Sequence, residues 1–250
     1  MLRRALQVTW GIYVGLLFAM LLSLAALAAI LLPTVKLRRD ASRSLAKIFF
    51  AFSGLAYSVR GANRLPQTQS VVVANHASYI DGPLLYAALP SQFGFVIKKE
   101  VAGIPLVGWL LGRLGHQLVE RHNKAEGAKD ARRILKAAFS GGSVAFFPEG
   151  TFSATPGLAR FHSGAFVTAA KAGLPIVPVV IKGARQVLPS GAWLPRRAPM
   201  VLEILEPVQP PGPGESDGAS WLREEARRRM LEKLGEPDLA AGESKAGGDG

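Results

Sequence analysis

A histidine and an aspartate stand five positions apart, His76 and Asp81, just after the apolar run Val71-Val72-Val73. General-base catalysis needs an imidazole delivered to the end of a buried strand and a carboxylate to fix its tautomer. Sequence distance alone does not bring the two together. On a straight helix positions i and i+5 point about 140° apart, and in an extended strand they lie roughly 16 Å apart. The chain must therefore turn between them, and Gly82-Pro83 directly after the aspartate suits the first turn of a helix. Two plainer roles compete: His76 as a satisfied core histidine, and Asp81 as the N-cap of a helix over Pro83–Leu89.

Three further segments place polar groups beside apolar runs. In Phe147-Pro148-Glu149-Gly150-Thr151-Phe152-Ser153, a Pro-Glu-Gly turn can offer backbone N–H groups and a hydroxyl to an oxyanion, or be an ordinary surface loop. Lys98-Lys99-Glu100, followed by Ile104-Pro105, Gly108-Trp109, Gly115 and Arg121, supplies cations for a phosphate, which arginine can grip with two hydrogen bonds. The apolar members Ile104, Leu106, Val107, Trp109, Leu110, Leu111 and Leu114 either line a hydrocarbon pocket or form a plain buried helix. Leu174-Pro175-Ile176-Val177-Pro178-Val179 is a strand opened by proline, mainly structural.

The elements that must hold these segments follow the pattern of an α/β domain after Gly61. Strands are expected at Ser70–Ala74, Phe93–Ile97, Gln117–Val119, Ser143–Phe147, Ile176–Ile181 and Met200–Ile204, with helices between them. Ala125–Phe139 is the clearest helix. Ala131, Ile134, Leu135, Ala138 and Phe139 share one face, and Gly141-Gly142 ends it. Gly164–Ala172 is a short helix stopped by Gly173. After a linker at 209–214, Trp221–Leu234 carries a stripe of Leu222, Ala226, Met230 and Leu234 among arginines, which favours packing on the sheet over binding a membrane surface. Residues 236–250 read as a disordered tail.

The N-terminal region is different in kind. Residues 5–35 contain no charged side chain, Arg3 and Arg4 precede them, and Lys36, Arg38, Arg39 and Arg43 follow. As a helix the run is about 46 Å long, against a hydrocarbon core of about 30 Å. A retained membrane anchor is favoured over a cleaved signal peptide, although Ala25-Ala26-Leu27-Ala28 resembles a cleavage site. The apolar segment 44–59 is either an interfacial or returning arm of a helical hairpin or a core helix. The expected organisation is a membrane-anchoring segment 1–59, a catalytic domain 60–235 and a tail 236–250. The net charge of +12 calls for an anionic partner, and the absence of cysteine excludes disulfides, thiolate metal sites and cysteine nucleophiles.

Taken in order, the four segments resemble the glycerolipid acyltransferase family, in particular its bacterial 1-acylglycerol-3-phosphate members. The opening block is matched by Asn75, His76, Ser78 and Asp81, the second by Lys99, Glu100, Pro105, Gly108, Trp109, Gly115 and Arg121, the third by Phe147–Thr151 and the fourth by Pro175–Pro178. The likeness covers roughly residues 60–210. It implies a mixed α/β sheet flanked by helices, with an N-terminal membrane helix or helical hairpin. It also implies His76 and Asp81 as catalytic residues, and Asn75, Ser78, Lys99, Arg121, Glu149, Gly150, Thr151 and Arg160 as substrate-binding residues. The implied partners are membrane lipid, a lysophospholipid acceptor and an acyl donor, acyl-coenzyme A or acyl carrier protein, with no cofactor, no metal and no nucleic acid. The implied location is the cytoplasmic membrane, with the domain facing the cytosol. The chain departs from the family where arginine usually follows Gly-Thr: it has Phe152, leaving a phosphate to Arg160, Arg121 or Lys99, or admitting a phosphate-free acceptor such as a lyso-aminolipid.

Rival classes fit less of the sequence. Ser44-Leu45-Ala46-Lys47 has the Ser-x-x-Lys spacing of a serine hydrolase but no companion motif, and there is no Gly-x-Ser-x-Gly elbow. The four histidines, His76, His116, His122 and His162, lack the close spacing of metal ligands. A non-catalytic basic protein bound to acidic lipid would explain the charge and the anchor, but not the ordered motifs.

Overall fold

The computed structural model describes residues 1–120, 124–152, 154–212 and 217–241. The elements in chain order are α1 (Leu2–Leu31), α2 (Val35–Ser53), β1 (Tyr57–Arg60), β2 (Val71–Ala74), α3 (Asp81–Ala88), β3 (Phe93–Lys98), α4 (Val107–Arg113), β4 (Gln117–Val119), α5 (Lys124–Phe139), β5 (Ser143–Phe146), α6 (Gly164–Ala172), β6 (Ile176–Lys182), α7 (Ala184–Val187), β7 (Met200–Ile204) and α8 (Gly218–Leu234). Among the described residues seven strands form one sheet in the order β1-β7-β6-β2-β5-β3-β4. Every neighbouring pair is parallel except β6 and β7.

β2 lies inside the sheet, between β6 and β5. All four of its side chains are buried, because helices cover both faces. Val72 and Ala74 belong to a core with α1, α2 and α3, while Val71 and Val73 belong to one with α5, α6 and α8. Burying each valine contributes about 1.5–3 kcal/mol. In α8 the stripe Leu222, Ala226, Met230 and Leu234 is buried on the sheet, as its spacing implies.

The apolar N-terminus is a helical hairpin. α1 is, among the described residues, the one helix long and apolar enough to cross a membrane. Leu32 leaves the helix in an extended conformation, and Thr34 caps α2 by accepting from Leu37 N–H. The returning arm therefore starts at Val35, earlier than the apolar content from residue 44 suggests, and it carries the basic residues Lys36, Arg38, Arg39 and Arg43. It ends at Ser53, so Tyr57–Arg60 is a strand rather than part of that arm. Both arms are tied down. The indole of Trp10 donates to Ser53 O at 3.0 Å and the phenol of Tyr13 to Phe52 O at 3.0 Å. Farther along, Arg113 Nη2 donates to Ala29 O at 3.1 Å, and Arg39 Nε to Leu114 O at 2.7 Å.

The expected tail is ordered at its start. Leu158 N–H donates to Pro237 O at 2.9 Å and Leu239 N–H to Leu158 O at 3.1 Å, docking residues 236–241 beside the loop after β5. Residues 213–216 of the linker region and 242–250 of the tail lie outside the described residues.

Candidate active site

Register builds the site. Val73 of β2 pairs with Phe146 of β5, so Asn75-His76 and Phe147–Glu149 leave adjacent parallel strands at the same level. From β2 the chain proceeds to β3 on one side, and from β5 it returns to β6 on the other. A crevice beyond the carboxyl ends of strands, where connections diverge, is where open α/β sheets place ligands.

His76 and Asp81 meet there. The turn 77–80 brings His76 Nδ1 to 3.0 Å from Asp81 Oδ2, and the same oxygen accepts N–H from Ala77 at 2.6 Å and Ser78 at 2.8 Å. Asp81 is the first residue of α3, one turn position past a cap at Ile80, so it does not cap a helix at Pro83. Its side chain faces back into the turn and is 0% exposed, and Oδ1 is buried with no hydrogen-bond partner among the described residues. Because Oδ2 already receives two N–H donors, it accepts from the imidazole too, which assigns the hydrogen to Nδ1. Nε2 has no hydrogen-bond partner among the described residues.

The backbone around the histidine is held by side chains expected to meet substrate. Asn75 is buried and spans to β6, donating to Ile181 O at 3.0 Å and accepting from Ile181 N–H at 2.7 Å. Ser78 Oγ donates to Leu188 O at 2.6 Å. Glu149, 7% exposed, accepts His76 N–H on Oε1 at 2.7 Å and Ala159 N–H on Oε2 at 2.8 Å. Burial pushes its carboxyl up to about 7, with the charge of Asp81 adding to the rise, against the two N–H donors and Arg185. Asn75, Ser78 and Glu149 thus face the interior as struts rather than the crevice as ligands.

Gly150 has φ +81° and donates its N–H to Phe147 O at 3.1 Å, which turns the loop back on itself. Thr151, the next residue of the loop, is exposed. Arg160 is exposed and makes no ion pair among the described residues, and its neighbour Ala159 is the residue bound to Glu149. Lys99 sits in the 3-10 turn Lys99–Gly103, paired with Glu126 at 2.9 Å and Glu120 at 3.5 Å. Arg121, the remaining candidate, lies outside the described residues. The apolar members near Lys99 are split: Leu110 and Leu114 pack on Ala25 and Ala29 of α1, while Ile104, Leu106 and Trp109 are exposed.

Two aromatic contacts were not legible as site features. Phe147 stacks on the His76 ring with centroids 4.2 Å apart, and Phe152 meets its edge at 4.5 Å. Tyr79 in turn packs on Phe152 at 4.8 Å. The departure at 152 therefore places an apolar ring directly against the imidazole. The presence of three aromatics around a candidate base is the signal that could have found them.

The profile of the acyltransferase family matches residues 56–182. The chloroplastic 1-acyl-sn-glycerol-3-phosphate acyltransferase BAT2 of Brassica napus is 31% identical over 235 residues, covering 88% of this chain and 66% of that protein. The lyso-ornithine lipid O-acyltransferase of Pseudomonas aeruginosa is 33% identical over 141 residues, covering 55% of this chain and 52% of that protein. The chain thus spans less than two thirds of the length of each of these relatives. The crystal structure of the 1-acyl-sn-glycerophosphate (LPA) acyltransferase PlsC from Thermotoga maritima superposes with a TM-score of 0.77 at 22% identity, over 93% of this chain and 96% of that one, which shows a common fold. With that profile covering half its length, from β1 to the end of β6, the chain belongs to the acyltransferase family.

Proposed function

We propose that the protein transfers a fatty acyl group from an acyl thioester, acyl-coenzyme A or acyl carrier protein, to the free hydroxyl of lysophosphatidic acid, giving phosphatidic acid. The observation that carries this reading is the His76–Asp81 pair, with Nδ1 bonded to the carboxylate and Nε2 left to take a proton. Nε2 removes the acceptor's hydroxyl proton as that oxygen attacks the thioester carbonyl. The buried Asp81 stabilises the imidazolium that forms. The tetrahedral intermediate collapses, the carbon–sulfur bond breaks, and the imidazolium returns the proton to the leaving thiolate. Backbone N–H groups of the loop after Gly150, whose Phe152 touches the His76 ring, are the candidates for the oxyanion. No covalent enzyme intermediate is needed. No cofactor is required.

The hairpin suits such a substrate. α1 is fastened to α2 through Trp10 and to α4 through Ala29, and its exposed residues from Ile12 onward are mostly apolar. That supports embedding in one leaflet of the cytoplasmic membrane from the cytosolic side, rather than a free span.

A second acceptor is favoured by Phe152. An aromatic wall of Phe152 and Tyr79 beside His76 provides no counter-charge for a phosphomonoester, which suits a phosphate-free lyso-lipid, the class named for the Pseudomonas relative.

The test is transfer of labelled acyl groups by detergent-solubilised protein and its His76→Ala variant to lysophosphatidic acid and to lyso-ornithine lipid, from both donors. A general base contributes ~10²–10⁴-fold, so the variant should lose at least that much. Turnover by the variant within tenfold of the parent would falsify the mechanism.

A further inference from the structure

The β6–β7 connection crosses the first half of α1. Leu194 lies over Gly11, where a Cβ would come within 3.1 Å of it. On the flank of this crossing is a groove of about 800 Å³ lined by Gln7, Thr9, Trp10, Tyr13, Arg196 and Arg197. The indole and phenol ends of Trp10 and Tyr13 are held on the last carbonyls of α2, which fixes their rings in the groove wall.

The two arginines are the informative part. Arg197 lies over the Trp10 ring at 5.0 Å, and neither it nor Arg196 has a carboxylate partner among the described residues. The basic face of α8 is the opposite case: Arg227 is paired with Asp238, Arg228 with Glu225 and Glu232, and Arg229 with Glu225. Charge on α8 is neutralised inside the protein, whereas charge at the groove is left for an outside anion. Arg3 and Arg4 precede the groove on the same helix. Next to the arginines Trp193 is 95% exposed, and Leu2, Leu6 and Ile12 of α1 are exposed as well. Two exposed cations, one of them stacked on a half-buried indole, and an adjoining apolar surface form the combination that meets a lipid at headgroup depth.

We propose that this groove is a binding site for the headgroup phosphate of an anionic membrane phospholipid, held by Arg196 and Arg197 against Trp10, with its acyl chains along the exposed face of α1. None of its lining residues is among those grouped around His76, and its binding does not depend on the activity. It is anchored independently, Arg196 N–H donating to Val187 O at 2.7 Å through the backbone, so its side chain can be changed without cutting that tie.

The test uses the full chain in neutral detergent with Trp109, Trp193 and Trp221, all exposed, changed to Phe, leaving Trp10 as the reporter. Short-chain phosphatidylglycerol, short-chain phosphatidylcholine and inorganic phosphate are titrated separately while Trp10 emission is followed. The expected result is saturable binding of phosphatidylglycerol, at least about tenfold tighter than either of the others: phosphatidylcholine carries the same phosphate but its choline cation is repelled by the two arginines, and inorganic phosphate lacks acyl chains to lie along α1. The Arg196→Gln/Arg197→Gln double variant should lose about tenfold or more. Arg196→Gln alone, which keeps the stack on Trp10, should lose part of that. Equal response to phosphatidylcholine, or a smaller loss in a double variant with unchanged thermal unfolding, overturns the site. Inorganic phosphate binding as tightly as the lipid overturns the lipid as its source.

Discussion

Replacing Asp81 by asparagine should separate the carboxylate's charge from its geometry. Oδ2 accepts from Ala77 N–H at 2.6 Å, Ser78 N–H at 2.8 Å and His76 Nδ1 at 3.0 Å. An amide NH2 cannot face two backbone N–H groups, so the carbonyl oxygen of the new side chain must take that place. The NH2 then occupies the position of Oδ1, which is buried and already without a partner among the described residues. One unsatisfied atom replaces another and a buried charge is removed, so stability should change by no more than about 2 kcal/mol. The imidazole keeps its Nδ1 hydrogen, and only the attraction between carboxylate and imidazolium is lost. Two unit charges about 4 Å apart at an effective dielectric of about 20 attract by about 4 kcal/mol, roughly a 10³-fold loss in kcat. Asp81→Ala should be worse on both counts, because three donors lose their acceptor. The assay is acyl transfer at saturating acceptor, together with thermal unfolding and imidazole nitrogen NMR for the tautomer. An Asn variant within tenfold of the parent, or one as unstable as the Ala variant, would refute the reasoning.

Other perturbations probe other contacts. Glu149 has a folded pKa of about 7 against an ordinary 4.5, so the stability it contributes is present below pH 4.5 and lost as pH rises through 7. The shift corresponds to about 3 kcal/mol at most. Melting temperature should therefore fall from pH 5 to 8 more steeply in the parent than in Glu149→Gln, and parallel curves would dismiss the burial argument. Glu149→Gln should also lower kcat, since an amide NH2 must oppose the N–H of either His76 or Ala159. Gly108→Ala puts a methyl 2.0 Å from Ala102 O, within backbone, and should destabilise by about 3 kcal/mol, read as a lower melting temperature. Phe152→Ala removes edge contacts worth about 0.5–1.5 kcal/mol each and should cut kcat by about twofold to tenfold. Phe152→Arg should raise transfer to lysophosphatidic acid relative to lyso-ornithine lipid, and an unchanged ratio would remove residue 152 from acceptor choice.

Legibility followed locality. Gln117–Val119 and Met200–Ile204 were readable to the residue, because short apolar runs between turn signals have one extended solution. β1 was not: it is a four-residue edge strand that alternates half-buried and exposed residues, and its partner β7 lies far along the chain. The His76–Asp81 turn could be anticipated from five positions of sequence, but its helix starts at Asp81 because the carboxylate gathers the preceding N–H groups instead of capping forward. Nothing local says that Glu149 turns inward. That follows from the pairing of β2 with β5, which sets the His76 N–H opposite it. Phe152 was visible as a departure, and its contact with His76 needed the fold.

The central place of β2 has a consequence for how the protein acquires activity. Its pairing partners β5 and β6 come much later in the chain, so the contacts that seat His76 close long loops and are slow to form. The turn that joins the base to its carboxylate is local and can form early, before anything holds it in position. Until β5 and β6 arrive, Val71–Ala74 is an unpaired apolar strand with both faces open, the kind of segment on which nascent chains associate. Synthesis rate and chaperone supply should therefore govern the yield of active protein more than the stability of the finished fold does.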